Sequence, residues 1–216
     1  MNYGKKSVKQ KKKALQSTSS KLGRKCLLTF SKVLLLCVIA IGIIGICAGL
    51  GVFKGIIDSA PTITLEDATP TRYSSFIYDN KGNQMAKLIA EDSNRIPVTM
   101  DQIPTDLANA FVAIEDERFY QHNGIDIMGI LRAGVTAVKT GFKRQEGAST
   151  ITQQLIKNTV LTTWTQEKTL GERIKRKVQE QYLAIQLEKD TNDKSKILEQ
   201  YMNTINLGQN TLGVQA

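Results

Sequence analysis

The stretch AIEDERFYQHNGID (113–126) sets the interpretation of the whole chain, because it joins three acids to an aromatic pair, the only histidine and an Asn-Gly turn. Upstream of it, four apolar residues have the spacing of one helix face: Leu107, Ala110, Phe111 and Ile114. We predict a helix with Thr105 as its N-cap. Glu115 would border the apolar face, partly desolvated and usable as a general acid or base. Three acids on a solvated helix face are the competing interpretation.

The charge of the chain is unevenly distributed. The sequence has 29 Lys and Arg, 20 Asp and Glu, and a net charge of +9. Ten of the basic residues and none of the acids fall within residues 1–32, so the rest of the chain is nearly neutral. A near-neutral main domain gives no electrostatic argument for nucleic acid as a partner.

Residues 33–53, VLLLCVIAIGIIGICAGLGVF, form an uncharged run directly after this basic tail. As a helix the run would span roughly 30 Å, the thickness of the hydrocarbon layer of a bilayer. Basic residues before the span predict a cytoplasmic N-terminus and an extracytoplasmic main domain. A cleaved signal peptide is the alternative, although no A-x-A site is evident and Ile46 disfavours lipoprotein processing at Cys47.

Cysteine and histidine are scarce outside this predicted anchor. All three cysteines, Cys26, Cys37 and Cys47, lie in or beside it, and the main domain has one histidine. A disulfide, a His/Cys metal site and a relay through a second histidine are therefore excluded from that domain.

The main domain divides where the prolines end. Residues 54–72 contain Pro61 and Pro70 and are predicted to form a linker. Residues 73–104 are predicted to form a small β platform, with a hairpin of 73–79 and 83–90 around Lys81-Gly82 and a third short strand at 95–99. Residues 105–216 follow Pro104 without another proline. We therefore predict a mainly α fold behind a small β hairpin region and one transmembrane helix.

EGASTITQQLIKN (146–158) predicts a helix with Ser149 as its N-cap. Four polar residues share one predicted face of this helix: Thr150, Gln153, Gln154 and Lys157. Such a face next to a helix N-terminus suits a polyhydroxylated or phosphorylated ligand. A solvated helix face is the alternative.

RIKRKVQEQYLAIQLEK (173–189) predicts a helix that is apolar on two sides and largely buried, with Glu180 at the head of one apolar stripe. A buried glutamate requires a partner, and Arg176 lies one turn earlier. This pair could equally be purely structural. KILEQYMNTINLGQNTLGVQA (196–216) begins as a helix and turns at Gly208 and Gly213, and we interpret its end as that of a fragment.

Together these stretches resemble the glycosyltransferase domain of class A penicillin-binding proteins and of the related monofunctional peptidoglycan glycosyltransferases. EDERFYQHNG (115–124) is similar to the family's E-D-x-x-F-x-x-H-x-G, and GASTITQQ (147–154) is similar to its G-x-S-T-x-T-Q-Q. RKVQE (176–180) and ILEQYMN (197–203) resemble R-K-x-x-E and I-L-E-x-Y-x-N. The resemblance covers residues 70–216 and implies a lysozyme-like fold whose last helices are missing from this chain.

The resemblance implies that the protein polymerises lipid II into glycan strands by inverting attack of the acceptor GlcNAc 4-hydroxyl on the donor MurNAc C1, releasing undecaprenyl diphosphate. It implies Glu115 as the base and Glu180 as the second catalytic carboxylate. Asp116, Phe119 and His122 would mainly shape the loop. The residues expected to bind substrate are Asp116, Phe119, Ser149, Thr150, Gln153, Gln154, Lys157, Lys168, Arg176 and Lys177.

The implied partners are lipid II, the growing strand, the membrane and a cell-wall synthesis complex. No metal ligand is assigned, although a divalent cation could assist at the diphosphate. Lys139-Thr140-Gly141 matches a transpeptidase triplet, but the chain contains no S-x-x-K nucleophile, so we expect no transpeptidase activity from these residues. The rival classes are a lysozyme-like or lytic transglycosylase that cleaves glycan and a non-catalytic anchored scaffold.

Overall fold

The computed structural model describes residues 4–15, 18–91, 93–141, 147–209 and 211–216. Within those ranges the chain forms seven α-helices and four short β-strands. The helices are α1 (Lys5–Leu15), α2 (Thr18–Asp58), α3 (Thr105–Glu115), α4 (Ile127–Lys139), α5 (Ile151–Thr159), α6 (Leu170–Thr191) and α7 (Lys194–Thr204). The strands pair as two antiparallel hairpins, β1 (Ser75–Tyr78) with β2 (Gln84–Leu88) and β3 (Asn206–Gly208) with β4 (Thr211–Leu212). The mainly α prediction is confirmed.

The chain divides into two compact units between Gly55 and Ile56. The first unit holds α1, which is rich in lysine, and most of α2. Among the described residues one segment is long and apolar enough to cross a membrane, Leu22–Asp58, and an 18-residue window within it has a mean hydropathy of 3.0. Its apolar side chains are exposed along its length, which is consistent with the predicted anchor. The helix continues past residue 53, so the first residues of the predicted linker are helical.

The rest of the predicted linker belongs to the second unit and packs into it. Ile63 and Ala68 are buried in the same core as the helices. Asp67 closes a local turn, because its Oδ2 accepts hydrogen bonds from the backbone N and the Oγ1 of Thr64 at 2.8 and 2.9 Å. These bonds hold the pKa of the Asp67 carboxyl below its usual range. The segment is therefore an ordered part of the domain.

The predicted hairpin is present, and the third strand is not. Gly82 has a φ of +80° in the turn between β1 and β2, a conformation that favours glycine. Residues 95–99 form no strand, and the backbone of Val98 bonds instead to a side chain of α7. Val98 donates its N–H to Asn203 Oδ1 at 2.9 Å and accepts from Asn203 Nδ2 at 2.8 Å. Asn203 thus ties the platform to the helical core.

The core lies where α5 packs against α6 and α7. Ile151, Leu155 and Ile156 of α5 are fully buried. They meet apolar side chains from the facing helices and from the loop after α3: Phe119, Leu183, Ala184, Leu187, Ile197, Leu198, Tyr201 and Met202. Of the two apolar stripes predicted on α6, only the one with Leu183 is buried; Ile174 is 51% exposed and Ile185 is 43% exposed.

The side of α3 that faces the core was predicted wrongly. Ala108 and Val112 face the core, whereas Ile114 is 81% exposed. The N-cap is Pro104, whose carbonyl accepts from Leu107 and Ala108 N–H, and Thr105 is the first helical residue. Tertiary packing of this short helix overrides the apolar spacing of its own sequence.

Candidate active site

The loop after α3 is held together by buried polar groups. Asp116 is only 6% exposed, and its Oδ2 accepts the N–H of Ile151 at 3.0 Å. Its Oδ1 lies 2.9 Å from His122 Nε2. Phe119 is fully buried beneath the loop, with Lys194 Nζ 4.4 Å from the centre of its ring. The sequence prediction that these side chains shape the loop agrees with this geometry.

Gly124 fixes the far end of the loop against two helices. Its φ is +84°, and a Cβ at this position would lie 2.5 Å from the carbonyl carbon of Ala184, so no larger residue fits. The Gly124 carbonyl accepts hydrogen bonds from Thr150 Oγ1 at 2.8 Å and from Gln153 Nε2 at 3.1 Å. The loop is thereby clamped between the start of α5 and the middle of α6.

The predicted polar face of α5 divides into two groups with different surroundings. Thr150 and Gln153 are 1% and 2% exposed and bond to the Gly124 carbonyl of the loop. Gln154 and Lys157 are half-buried. The N-cap is Thr150, which accepts the N–H of Gln153, and the prediction of Ser149 at that position was wrong.

Glu115 is the last residue of α3 and is exposed, in contrast to the predicted partial desolvation. Gln154 Nε2 donates to Glu115 Oε2 at 2.9 Å. The amide of Gln154 is oriented in turn by Tyr201, whose hydroxyl lies 3.4 Å from Gln154 Oε1. Burial, together with the charge of Glu115, raises the pKa of Tyr201, so its hydroxyl remains a donor. One oxygen of the exposed Glu115 carboxylate is therefore held by Gln154 of α5, and Gln154 accepts in turn from Tyr201 of α7.

Glu180 is completely buried and is neutralised by two cations of its own helix. It pairs with Arg176, as predicted, and Lys177 Nζ lies 2.7 Å from its Oε2. Arg176 also pairs with Glu167, with Nε 2.6 Å from Oε1. Burial would lower the pKa of Arg176, but the hydrogen bonds that it donates to Glu167 and Glu180 outweigh burial and raise that pKa.

Lys177 connects this buried cluster to the protein surface. Its side chain is 44% exposed, and Nζ donates to Ser149 Oγ at 2.8 Å. Ser149 and Glu115 line the same cavity, which has a volume of about 110 Å³. Ser149 therefore links the cavity that Glu115 lines to Lys177 and, through it, to the buried Glu180.

The two remaining predicted binding lysines lie apart from that chain of contacts. Lys157 Nζ stands 4.7 Å from the centre of the Trp164 ring. Lys168 is exposed just before α6, and its backbone N–H donates to Glu172 Oε2 at 2.8 Å.

The capping of α4 and its exposed apolar face were not predicted from the sequence. Asp126 caps this helix by accepting the N–H of Gly129 and pairs with Arg118, with Nη2 2.6 Å from Oδ2. The apolar side chains of α4 are exposed: Ile127, Met128, Leu131, Val135 and Val138 range from 52% to 71%. The signal was the run of apolar residues directly after the Asn-Gly turn. Large exposed apolar faces mark contact surfaces for protein or membrane.

Among the residues that the structure describes, no group of three or more His, Cys, Asp or Glu side chains comes together as a metal site.

Comparison with known proteins identifies one family. A family model described as transglycosylase matches residues 81–216. The chain is 46% identical over 169 residues to penicillin-binding protein 1A of Clostridium botulinum, which covers 77% of this chain and 19% of that protein. It is 39% identical over 211 residues to penicillin-binding protein 1A of Clostridium perfringens, covering 96% and 24%, and 42% identical over 172 residues to penicillin-binding protein 1A/1B of Bacillus subtilis, covering 80% and 18%. The chain spans about a fifth of the length of these relatives.

Proposed function

The chain belongs to the transglycosylase family, and from this membership we propose that it is a membrane-anchored peptidoglycan glycosyltransferase that polymerises lipid II. The observation that carries the proposal is the arrangement around the cavity. Glu115 offers an exposed carboxylate there, and Lys177 offers a partly exposed ammonium that is anchored by Ser149 and Glu180. A carboxylate that lines the cavity and a cation bonded to a second lining residue, Ser149, suit transfer of a sugar from a diphosphate.

In the proposed step the acceptor GlcNAc O4 attacks C1 of the donor MurNAc. The O4–C1 bond forms, the C1–O bond to the diphosphate breaks, and the diphosphate oxygen keeps the electron pair. The O4 proton passes to Glu115, and the configuration at C1 inverts. Gln154 holds Oε2 of Glu115, which leaves Oε1 to face the acceptor hydroxyl.

The leaving diphosphate needs positive charge, and the structure favours Lys177 over Arg176 for this contact. Arg176 lies between two glutamates with its side chain 16% exposed, so its charge is already compensated. Ser149 lines the cavity, and its hydroxyl accepts from the partly exposed ammonium of Lys177. Lys157 and Lys168 are proposed to bind farther along the donor, and Glu180 to act through Lys177.

Asp116, Phe119, Thr150 and Gln153 receive a different role from the substrate contact that the sequence predicted. Because they are buried and bonded to or packed against protein groups, we assign them to positioning the loop that follows Glu115. Substitution of any of these four residues would displace the base but would not remove a direct contact with the substrate.

The exposed apolar face of α4 supports an active site at the membrane surface. This helix follows directly after the loop clamped by Gly124, so a lipid layer against it would hold the cavity close to the bilayer. Both reacting ends of the proposed reaction carry lipid tails. We also propose that the N-terminus is cytoplasmic and that the protein assembles with other cell-wall enzymes.

The test is substitution of Glu115 by Gln in the detergent-solubilised protein with fluorescent lipid II as substrate. Removing the base should lower the polymerisation rate by at least ~10²-fold. Glu117→Gln is the matched control, because Glu117 lines the same cavity but has a 69% exposed side chain that lies 3.7 Å from Arg118 and Arg132. Polymerisation by Glu115→Gln at the wild-type rate would reject the general-base role.

Product analysis separates the rival classes. A glycosyltransferase makes long strands from lipid II, whereas a lysozyme or lytic transglycosylase releases fragments from preformed sacculi. Binding of lipid II with no turnover by the wild-type protein would favour a scaffold.

A further inference from the structure

The lysine-rich helix α1 has no counter-charge in its own part of the chain. Six of its 11 residues are lysine, and the first acid of the sequence is Asp58, the last residue of α2. At 1.5 Å per residue, the length of α2 places Asp58 roughly 60 Å from the start of that helix. All 20 acids therefore come at or after the end of the apolar span. In the proposed topology none of them shares a compartment with α1.

The charge of α1 is concentrated on one side of the helix. At 3.6 residues per turn, five of its lysines fall within an arc of about 120°: Lys5, Lys6, Lys9, Lys12 and Lys13. Lys5, Lys9 and Lys13 follow one another at intervals of four, where like charges repel and destabilise an isolated helix. Lys5 and Lys6 also lie in the first turn, where positive charge opposes the helix dipole.

This helix also lacks the usual sources of stability. None of residues 5–15, all of which the structure describes, is buried. Isolated helices shorter than about 12–15 residues are marginal in water, and α1 has 11 residues. Negative charge from outside the chain, spread over several turns, would relieve the repulsion along the whole lysine arc and stabilise the helix.

The position and the apolar residues of α1 favour a membrane surface over a soluble polyanion. The helix ends at Leu15 and the apolar span begins at Leu22, so the connection between them reaches at most roughly 25 Å. Val8 and Leu15 are exposed and seven residues apart, which places them on one side of the helix, next to the lysine arc. A basic face beside an apolar stripe is the pattern of a helix that lies among lipid headgroups.

We propose that α1 binds the anionic phospholipids of the leaflet in which α2 begins, with its lysine arc on the phosphates and with Val8 and Leu15 at the boundary of the acyl chains. The inference rests on the proposed membrane anchor with its cytoplasmic N-terminus, and not on the catalytic role of Glu115. The helix gives the protein a second attachment to the membrane, whose strength follows the charge of the lipids.

The test is amide hydrogen exchange of the whole protein in lipid nanodiscs, read on peptides that cover residues 5–15. One set of discs contains phosphatidylcholine alone, and in the other one third of the lipid is phosphatidylglycerol. The amides of α1 should exchange at least about tenfold more slowly in the anionic discs, because each lysine at an anionic surface contributes about fivefold in affinity. Added salt should remove this protection. Peptides from α5, which has five buried residues, are the internal reference and should exchange equally in both discs.

Replacing Lys9 and Lys13 together by Gln should weaken the protection of α1 in anionic discs by at least about tenfold. Gln has a helix propensity similar to that of Lys, so the substitution changes the charge and not the preference for a helix. Replacing Lys189 and Lys196 together by Gln is the control, because it removes the same charge from exposed positions of the second unit. The control should leave the protection of α1 unchanged.

Three results would overturn the proposal: no protection of α1 in either disc, equal protection in both discs, or equal losses in the two double variants. Protection by added RNA or polyglutamate, with none from phosphatidylglycerol, would identify a soluble polyanion as the partner and reject the membrane surface. Polymerisation of lipid II is measured in the same discs. Protection of α1 without polymerisation would reject the proposed function alone, and polymerisation without protection would reject this inference alone.

Discussion

Replacement of Glu180 by Gln should lower both stability and activity. Glu180 is fully buried, accepts a hydrogen bond from Arg176 and forms an ion pair with Lys177, so the neutral amide removes two ion pairs without changing the shape of the side chain. The substitution therefore separates the charge of Glu180 from its packing.

The size of the stability loss depends on which contacts Arg176 and Lys177 retain after the substitution. Removing one partner of a buried pair costs about 3–5 kcal/mol when the other charge is stranded. Arg176 keeps Glu167 at 2.6 Å, and Lys177 keeps Ser149 at 2.8 Å and a 44% exposed side chain. Neither cation is stranded, so we expect a smaller loss of about 2–3 kcal/mol in the free energy of unfolding. For a domain of this size the loss lowers Tm by about 4–12 °C.

The assay combines thermal melts with initial rates on fluorescent lipid II. Glu167→Gln is the matched control, since Glu167 is the other partner of Arg176 and is 13% exposed in its side chain. Both variants should melt earlier, but only Glu180→Gln should raise the KM for lipid II, because only Glu180 holds Lys177. An unchanged Tm for Glu180→Gln would refute the burial argument. Equal losses of activity in the two variants would refute the role through Lys177.

Three further outcomes are expected. Tyr201→Phe should lower kcat at unchanged KM by releasing the Gln154 amide that orients Glu115, and wild-type kinetics would contradict this relay. The hydrogen bond from Arg118 holds the pKa of the Asp126 carboxyl below its usual value. The stability that this pair contributes is therefore complete above about pH 4 and is lost as the pH falls through the folded-state pKa of Asp126. The difference in Tm between wild type and Asp126→Asn should shrink in acid, and a difference that stays constant would contradict this assignment. A label on residues 1–32 should resist protease added outside intact protoplasts, and its digestion would reverse the predicted topology.

Apolar spacing and turn residues in the sequence predicted the helices of the domain well where that spacing matches the packing of the folded protein. The helix predicted after Ser149 and the one predicted from 196 onwards were confirmed by α5 and α7, and Gly208 and Gly213, where turns were predicted, have φ of +91° and +80°. The third strand failed because Asn203, 105 residues from Val98, supplies the bonds that a neighbouring strand would have made. Nothing in the local sequence of 95–99 contains that information.

The residues of the candidate site could be proposed from the sequence, but the contacts between them could not. Glu115 and Gln154 are 39 residues apart, and Gln154 and Tyr201 are 47 apart, so their contacts depend on the packing of α3, α5 and α7. Spacing on α5 placed Gln153 and Gln154 on one polar face, yet one bonds inward to Gly124 and the other reaches Glu115. Adjacent helical positions point about 100° apart, so the tertiary structure decides which of them is accessible.

Burial therefore separates two kinds of residue within the same motifs, and this changes how their substitution should be interpreted. Asp116, Thr150 and Gln153 are at most 6% exposed, and each bonds to the backbone of the loop or of α5. Activity lost on replacing them would accompany lost stability, because the displaced loop carries Glu115 away from the cavity. Lys177 is accessible and ends a chain of contacts, so a loss of activity there with an unchanged Tm would report on the substrate itself.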